Sequence, residues 1–173
     1  MKSLRQVLSV LIANGLVVFL IAELNSALAP YSIYLTVAGA LVVFPGLKLP
    51  LRAGLPAAAL TGALGDAVLP SPPGLVLFSL CFLYAILHHF RVRFRVQRPA
   101  HFAVVACVSN LAYLLILTVW FLPAEGQALY GLRFLVEAAL SVATVFLLSL
   151  WFFELQETAL DLLGARPSSE ENV

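Results

Sequence analysis

The feature that most constrains this chain is a succession of apolar runs, each about as long as a bilayer is thick, cut apart by prolines. A helix crossing the ~30 Å hydrocarbon layer needs about 20 residues at 1.5 Å rise each. That ruler places six candidate spans, at roughly 7–29, 30–47, 51–70, 72–90, 101–122 and 133–153. The breaks fall at Pro30, at Pro45-Gly46 with Pro50, at Pro70-Ser71-Pro72-Pro73-Gly74, at Arg98-Pro99 and at Pro123. Proline ends a helix because it lacks an N–H and its ring strikes the preceding turn. Pro56 instead falls inside the third run and predicts a kink near its start. Ser71-Pro72 reads as a helix start, serine capping and proline in the first helical position.

Composition agrees with a lipid environment. The chain is 62% hydrophobic and 11% charged, with a mean hydropathy of +1.00, whereas a soluble domain is about half apolar and a quarter charged. The fold class expected is therefore all-α: a polytopic membrane protein built as a six-transmembrane-helix bundle. A net charge of +1 argues against nucleic acid as a partner. Cys81 and Cys107 lie within apolar runs, where a thiol behaves as a small hydrophobe rather than part of a disulfide framework. The first segment has a signal-like start in Lys2 and Arg5 and a cleavage-like Ala27-Leu28-Ala29. Its apolar core is longer than a signal core, Glu23 interrupts it, and Pro30 would be the first mature residue, so it is read as an uncleaved first helix.

Basic residues set the orientation. With the N-terminus cytoplasmic, Lys2, Arg5, Lys48, Arg52, Arg91, Arg93, Arg95, Arg98 and Arg166 all fall inside, and only Arg133 falls outside. The expectation is a multi-pass protein with both ends in the cytoplasm. Residues 1–163 form one six-helix domain and 164–173 a polar tail.

The acidic residues sort the other way. Glu23 and Asp66 lie near the outer ends of the first and third helices, and Glu137 lies one turn into the sixth. A carboxylate costs about 2.5–3.5 kcal/mol at the bilayer centre, less near the interface. A helix C-terminus adds about 0.3–1 kcal/mol. Both penalties call for a partner at Asp66: Arg133, the N–H array that opens the fourth helix, or interfacial water. Glu137, four residues beyond Arg133, could share that arginine. Gly54, Ala58 and Gly62 lead at four-residue spacing to Asp66, with Gly65 alongside, a stripe that lets a neighbouring helix approach closely, whether from this chain or another.

Asn14 and Ser109-Asn110 are mid-membrane polar groups expected to form interhelical hydrogen bonds. His88, His89 and His101 read as interfacial, since a metal would want better-ordered spacing and more ligands. The loop HHFRVRFRVQRP alternates arginine with apolar residues. It is expected to anchor the topology, and Arg91, Arg93, Arg95 and Arg98 to dock anionic lipid or a cytoplasmic protein, each cation adding about 1 kcal/mol. Beyond the membrane the sixth helix carries Leu155, Ala159 and Leu162 on one side and Glu154, Glu157 and Asp161 on another, ending at Gly164. A solvated helix end and a docking face are both compatible with that pattern. The chain has no glycine-rich phosphate loop, H-E-x-x-H or serine elbow, so no catalytic residue, cofactor or metal is expected.

The run G-x-x-G-D at 62–66, a seven-residue gap with late prolines, then Gly74-Leu75 and an apolar helix ending in arginines resemble the rod shape-determining protein MreD family. The likeness extends from about Pro30 to Leu163 and rests best on Gly62, Asp66, Pro72 and Gly74, with Gly65 beside them. Pro73, where the family commonly has leucine, and the acidic tail depart from it. The resemblance implies a non-catalytic scaffold in the bacterial inner membrane, a subunit of the elongasome that supports cell shape and lateral peptidoglycan synthesis. It implies association with MreC and, through it, with RodA, a class B penicillin-binding transpeptidase and MreB. It also implies a bundle similar to the substrate-binding subunits of energy-coupling-factor transporters. Gly62, Gly65, Asp66, Pro72, Gly74, Arg133 and Glu137 then form the candidate partner-binding or structural-clamp set. The competing expectation is a vitamin-binding subunit of such a transporter. That would want polar and aromatic groups converging on one outer pocket and, by resemblance, an A-x-x-x-A motif on the first helix, where Ala13 is followed by Val17.

Overall fold

The computed structural model describes residues 2–69, 72–91, 99–121 and 127–165. Among them the order is α1 (Lys2–Leu28), a 3-10 turn (Ala29–Tyr31), α2 (Ala38–Lys48), α3 (Leu51–Val68), α4 (Leu75–Phe90), α5 (Pro99–Phe121) and α6 (Gln127–Leu162). The described residues contain no strand. The stretches Lys2–Tyr31, His101–Trp120 and Phe134–Leu162 are long and apolar enough to cross a membrane, and α2 and α4 are shorter apolar helices. Residues such as Ile12, Phe78, Val119 and Leu147 stand well exposed on the outward faces, a surface suited to lipid rather than water.

α2 is the axle of the bundle. Ala38 to Gly46 are all buried, and α2 packs against α3, α4, α5 and α6. Around it the outer helices pair in a ring: α1 with α3, α3 with α4, α4 with α5, α5 with α6, and α6 with α1. A Cβ at Gly39 would collide with the carbonyl oxygen of Ala106 on α5, so that close approach needs glycine.

The second span departs from the expected helix over 30–47. Pro30 sits in the 3-10 turn, Ser32 is left-handed at φ 56°, and residues 33–37 carry no helix before α2 begins at Ala38. The sequence there, Ile-Tyr-Leu-Thr-Val, is rich in β-branched and aromatic residues that favour extended backbone. The break expected at Pro45-Gly46 is also absent: Pro45 lies inside α2, which runs to Lys48. Proline at that position leaves the Leu41 carbonyl without its helical N–H. The Asn14 side chain replaces it, Nδ2 donating to that oxygen at 3.0 Å. The polar residue expected to bridge helices therefore also repairs a broken one.

Asn14 does more. Its Nδ2 also reaches Thr61 Oγ1 at 3.1 Å, and its Oδ1 accepts from Gln156 Nε2 at 2.9 Å, so α1, α2, α3 and α6 meet at one buried amide. Because Leu41 can only accept, the Asn14 orientation is fixed, and so in turn is that of Gln156.

The small-residue stripe of α3 faces α4 of the same chain. A Cβ at Gly62 would lie 2.5 Å from Leu77 Cα, one at Gly54 2.6 Å from the Tyr84 ring, and one at Gly65 2.9 Å from the Val76 side chain. Pro56 lies within α3 on its exposed side.

α6 is a single helix of 36 residues, about 54 Å long at 1.5 Å per residue, and so longer than a bilayer core. Its far end corrects the expected apolar stripe. Leu155 and Leu162 are exposed, whereas Phe152, Phe153, Gln156 and Leu160 are buried; the core face follows the contacts of α6 with α1, α2 and α5. The helix closes at Gly164, φ 59°, with Gly164 N–H donating to Asp161 O at 3.0 Å and Ala165 N–H to Leu160 O at 2.9 Å. That double bond pattern is a Schellman cap. Ala165 is buried, and its carbonyl accepts from Gln6 Nε2 at 2.8 Å, so packing continues just past residue 163 before the tail begins.

Candidate functional site

The candidate site is the end of the bundle where α3 turns into α4. α4 starts at Leu75 with Gly74 at its N-cap, three residues later than the Ser71-Pro72 start expected; Ser71 lies outside the described residues. The opening N–H groups of a helix lack intrahelical acceptors. Here Leu75 N–H donates to Pro72 O at 3.1 Å. Val76 N–H and Leu77 N–H donate to the two carboxylate oxygens of Asp66, at 2.9 and 3.1 Å. Asp66 thus supplies from α3 the cap that α4 cannot supply itself, since Gly74 has no side chain. Its charge meets the positive end of the α4 dipole, which offsets the unfavourable end of its own helix. Of the partners weighed for Asp66, the backbone N–H array holds both oxygens.

The geometry explains the spacing of the motif. Gly62 and Gly65 bring α4 close enough for Asp66 to reach it. Gly74 stands at φ 88°, a left-handed conformation that costs other residues about 1–2 kcal/mol. Pro72 precedes it as the acceptor for Leu75.

Opposite this clamp runs the non-helical strap 32–37. Asn25 on α1 grips Leu35 twice, Oδ1 accepting from its N–H at 2.8 Å and Nδ2 donating to its carbonyl at 2.9 Å. Glu137 on α6 accepts from Tyr34 N–H at 3.3 Å, and Ser141 Oγ accepts from Thr36 N–H at 3.0 Å. Asn110 on α5 accepts from Gly39 N–H and donates to Thr36 Oγ1, both at 3.3 Å. Backbone outside a helix is tolerated at membrane depth only where protein satisfies it in this way. Glu137 thus serves the strap; the Arg133 side chain lies outside the described residues. Between strap and clamp is a cavity of about 30 Å³ lined by α1, the strap, the start of α2, α3, α4 and Tyr113 of α5.

At the opposite end, Lys48 Nζ lies 2.8 Å from Glu157 and over the Phe102 ring at 5.2 Å, so one member of the acidic row of α6 is paired within the chain. Tyr84 and His88 stack, with the hydroxyl 3.4 Å from Nδ1. Arg91 closes α4 half-buried, while Arg93, Arg95 and Arg98 lie outside the described residues. Among the described residues no group of three or more His, Cys, Asp or Glu side chains is placed to hold a metal.

Sequence reasoning singled out Asp66, the glycines, Asn14 and Asn110. It missed Asn25, Thr36, Thr61, Tyr113, Ser141 and Gln156. The β-prone run 33–37 was the available signal for the strap, and Asn25, a polar residue eight positions before it, the signal for its anchor. Comparison with family models, with curated proteins and with solved structures returns no match for this chain.

Proposed function

We propose that this protein is a non-catalytic integral-membrane scaffold of the MreD type. In this reading it is a subunit of the bacterial elongasome in the inner membrane, with both termini cytoplasmic. It binds MreC and through it organises RodA, a class B penicillin-binding transpeptidase and MreB. The observation that carries the reading is the engagement of both Asp66 oxygens by α4 backbone N–H groups. Gly62 and Asp66 on α3 and Pro72 and Gly74 in the turn, the positions on which the resemblance rests, all act where α3 packs on the start of α4, as expected of a residue set that builds a surface rather than a reaction centre.

Six crossings are part of this reading, three of them by stretches long and apolar enough to span alone. α2 covers about 17 Å, and the five non-helical residues before it can add at most about 16 Å, together no more than about the hydrocarbon thickness. The bundle proposed is similar to the substrate-binding subunits of energy-coupling-factor transporters, with Arg91, Arg93, Arg95 and Arg98 at the anionic inner leaflet. The cavity of about 30 Å³ is itself too small for a vitamin, since ligand pockets run to about 300–1,000 Å³.

A depletion strain tests the assignment. Rounded cells and co-purification of an MreC-like protein are expected. Vitamin auxotrophy in cells that remain rods would replace the scaffold reading with the transport one.

A further inference from the structure

The cavity between strap and clamp has an unusual wall. It is mostly aliphatic, but Thr36 of the strap, Thr61 of α3 and Tyr113 of α5 interrupt it. Thr36 Oγ1 and Thr61 Oγ1 accept from Asn110 and Asn14 at 3.3 and 3.1 Å, which leaves each hydroxyl proton still to be donated. Tyr113 is 4% exposed, and its hydroxyl has no protein partner among the described residues. The contrast with other hydroxyls is direct. Thr118, Thr144 and Ser149 give their protons to carbonyls one turn back on their own helices, at 2.8, 2.8 and 2.6 Å.

A void of about 10–15 Å³ suffices for one water where polar groups converge, whereas cavities that stay empty are apolar. A volume of about 30 Å³ with three unmet O–H donors has the size and chemistry of about two waters. We propose that this cavity is a buried hydration site in which about two waters accept from Tyr113, Thr36 and Thr61. One water donates to the other, and the remaining water protons go to the hydroxyl lone pairs still free. The direct bonds of the strap run to α1, α5 and α6. The waters join it to α3, the helix that carries Asp66. Strap and clamp thereby become one hydrogen-bonded unit at this end of the bundle. The inference does not depend on the proposed function.

The test uses the full-length protein in lipid nanodiscs. A map that resolves waters should show two peaks in the cavity, one within about 2.5–3.0 Å of Tyr113 Oη. Xenon, which enters dry apolar cavities, should leave this one unoccupied. Tyr113→Phe breaks no other hydrogen bond among the described residues. It should raise amide exchange at Leu35 and Thr36 about fivefold to tenfold, the worth of one hydrogen bond. An empty cavity in the map, xenon bound to the wild type, or unchanged strap exchange in the variant would each overturn the proposal. Should the variant fail to fold, the map and the xenon result on the wild-type protein decide.

Discussion

Asp66→Ala is the sharpest perturbation of the clamp. It removes both acceptors of the α4 opening turn and leaves Val76 and Leu77 N–H groups without a protein partner. The two losses are unequal. The Val76 bond is part-buried, and a hydrogen bond to a charged group contributes about 1.5–3 kcal/mol. The Leu77 bond is exposed, so water replaces it and the loss there is about 0.5 kcal/mol or less. The expected destabilisation is about 2–3 kcal/mol, at or above the roughly 2 kcal/mol top of the range for lost helix caps. At roughly 2–4 °C per kcal/mol for a chain of this size, the melting temperature should fall by about 4–12 °C. Amide exchange at Val76 should rise about 30- to 150-fold and at Leu77 less, while exchange at α5 amides stays nearly fixed. Asp66→Asn keeps one acceptor oxygen but loses the charge, and should fall between the two at about 1 kcal/mol. Thermal unfolding and residue-resolved exchange in nanodiscs measure both. An Asp66→Ala protein that melts with the wild type and keeps Val76 protected would refute the clamp. Weak recovery of an MreC-like partner with Asp66→Ala, despite normal membrane insertion, is expected if the turn shapes the docking surface.

The polar core makes a separate prediction. Asn14→Leu removes three hydrogen bonds and orphans the Leu41 carbonyl, so it should cost about 2–3 kcal/mol; adding Pro45→Ala restores a helical donor and should recover about 1 kcal/mol in a double-mutant cycle of unfolding. Gly62→Ala should cost about 1–3 kcal/mol because its Cβ meets the Leu77 backbone at 2.5 Å. Gly74→Ala meets nothing within 4 Å, so its cost of about 1–2 kcal/mol is purely conformational, and exchange should rise only near the turn. Glu157→Gln should shift stability by less than about 1 kcal/mol, since the Lys48–Glu157 side chains are 37% and 45% exposed and such pairs contribute little. Unfolding in low and high salt checks it, the small effect vanishing at high salt.

Much of the fold was legible in the residues, and the reason is local. Apolar run length, Pro50 before α3 and Pro99 opening α5 act within a few residues, so they announce helices directly. Pro45 misled because its consequence depends on a distant amide: with Asn14 at hand the helix continues through it. The C-terminal leucines misled for a related reason, since periodicity finds a stripe but not which neighbour covers it.

The amino-acid sequence by itself determined that this chain is helical and lipid-suited, that Asp66 needs a partner, and that glycines let a helix come near it. Those follow from hydrophobic length, charge cost and the absence of a side chain, which are properties of short segments. Only the tertiary structure decided that α4 is that near helix, that its backbone is the partner, and that residues 32–37 leave the helix for a strap. Each of these turns on hydrogen-bond donors and acceptors that are far apart along the chain and meet only when five helices close around α2.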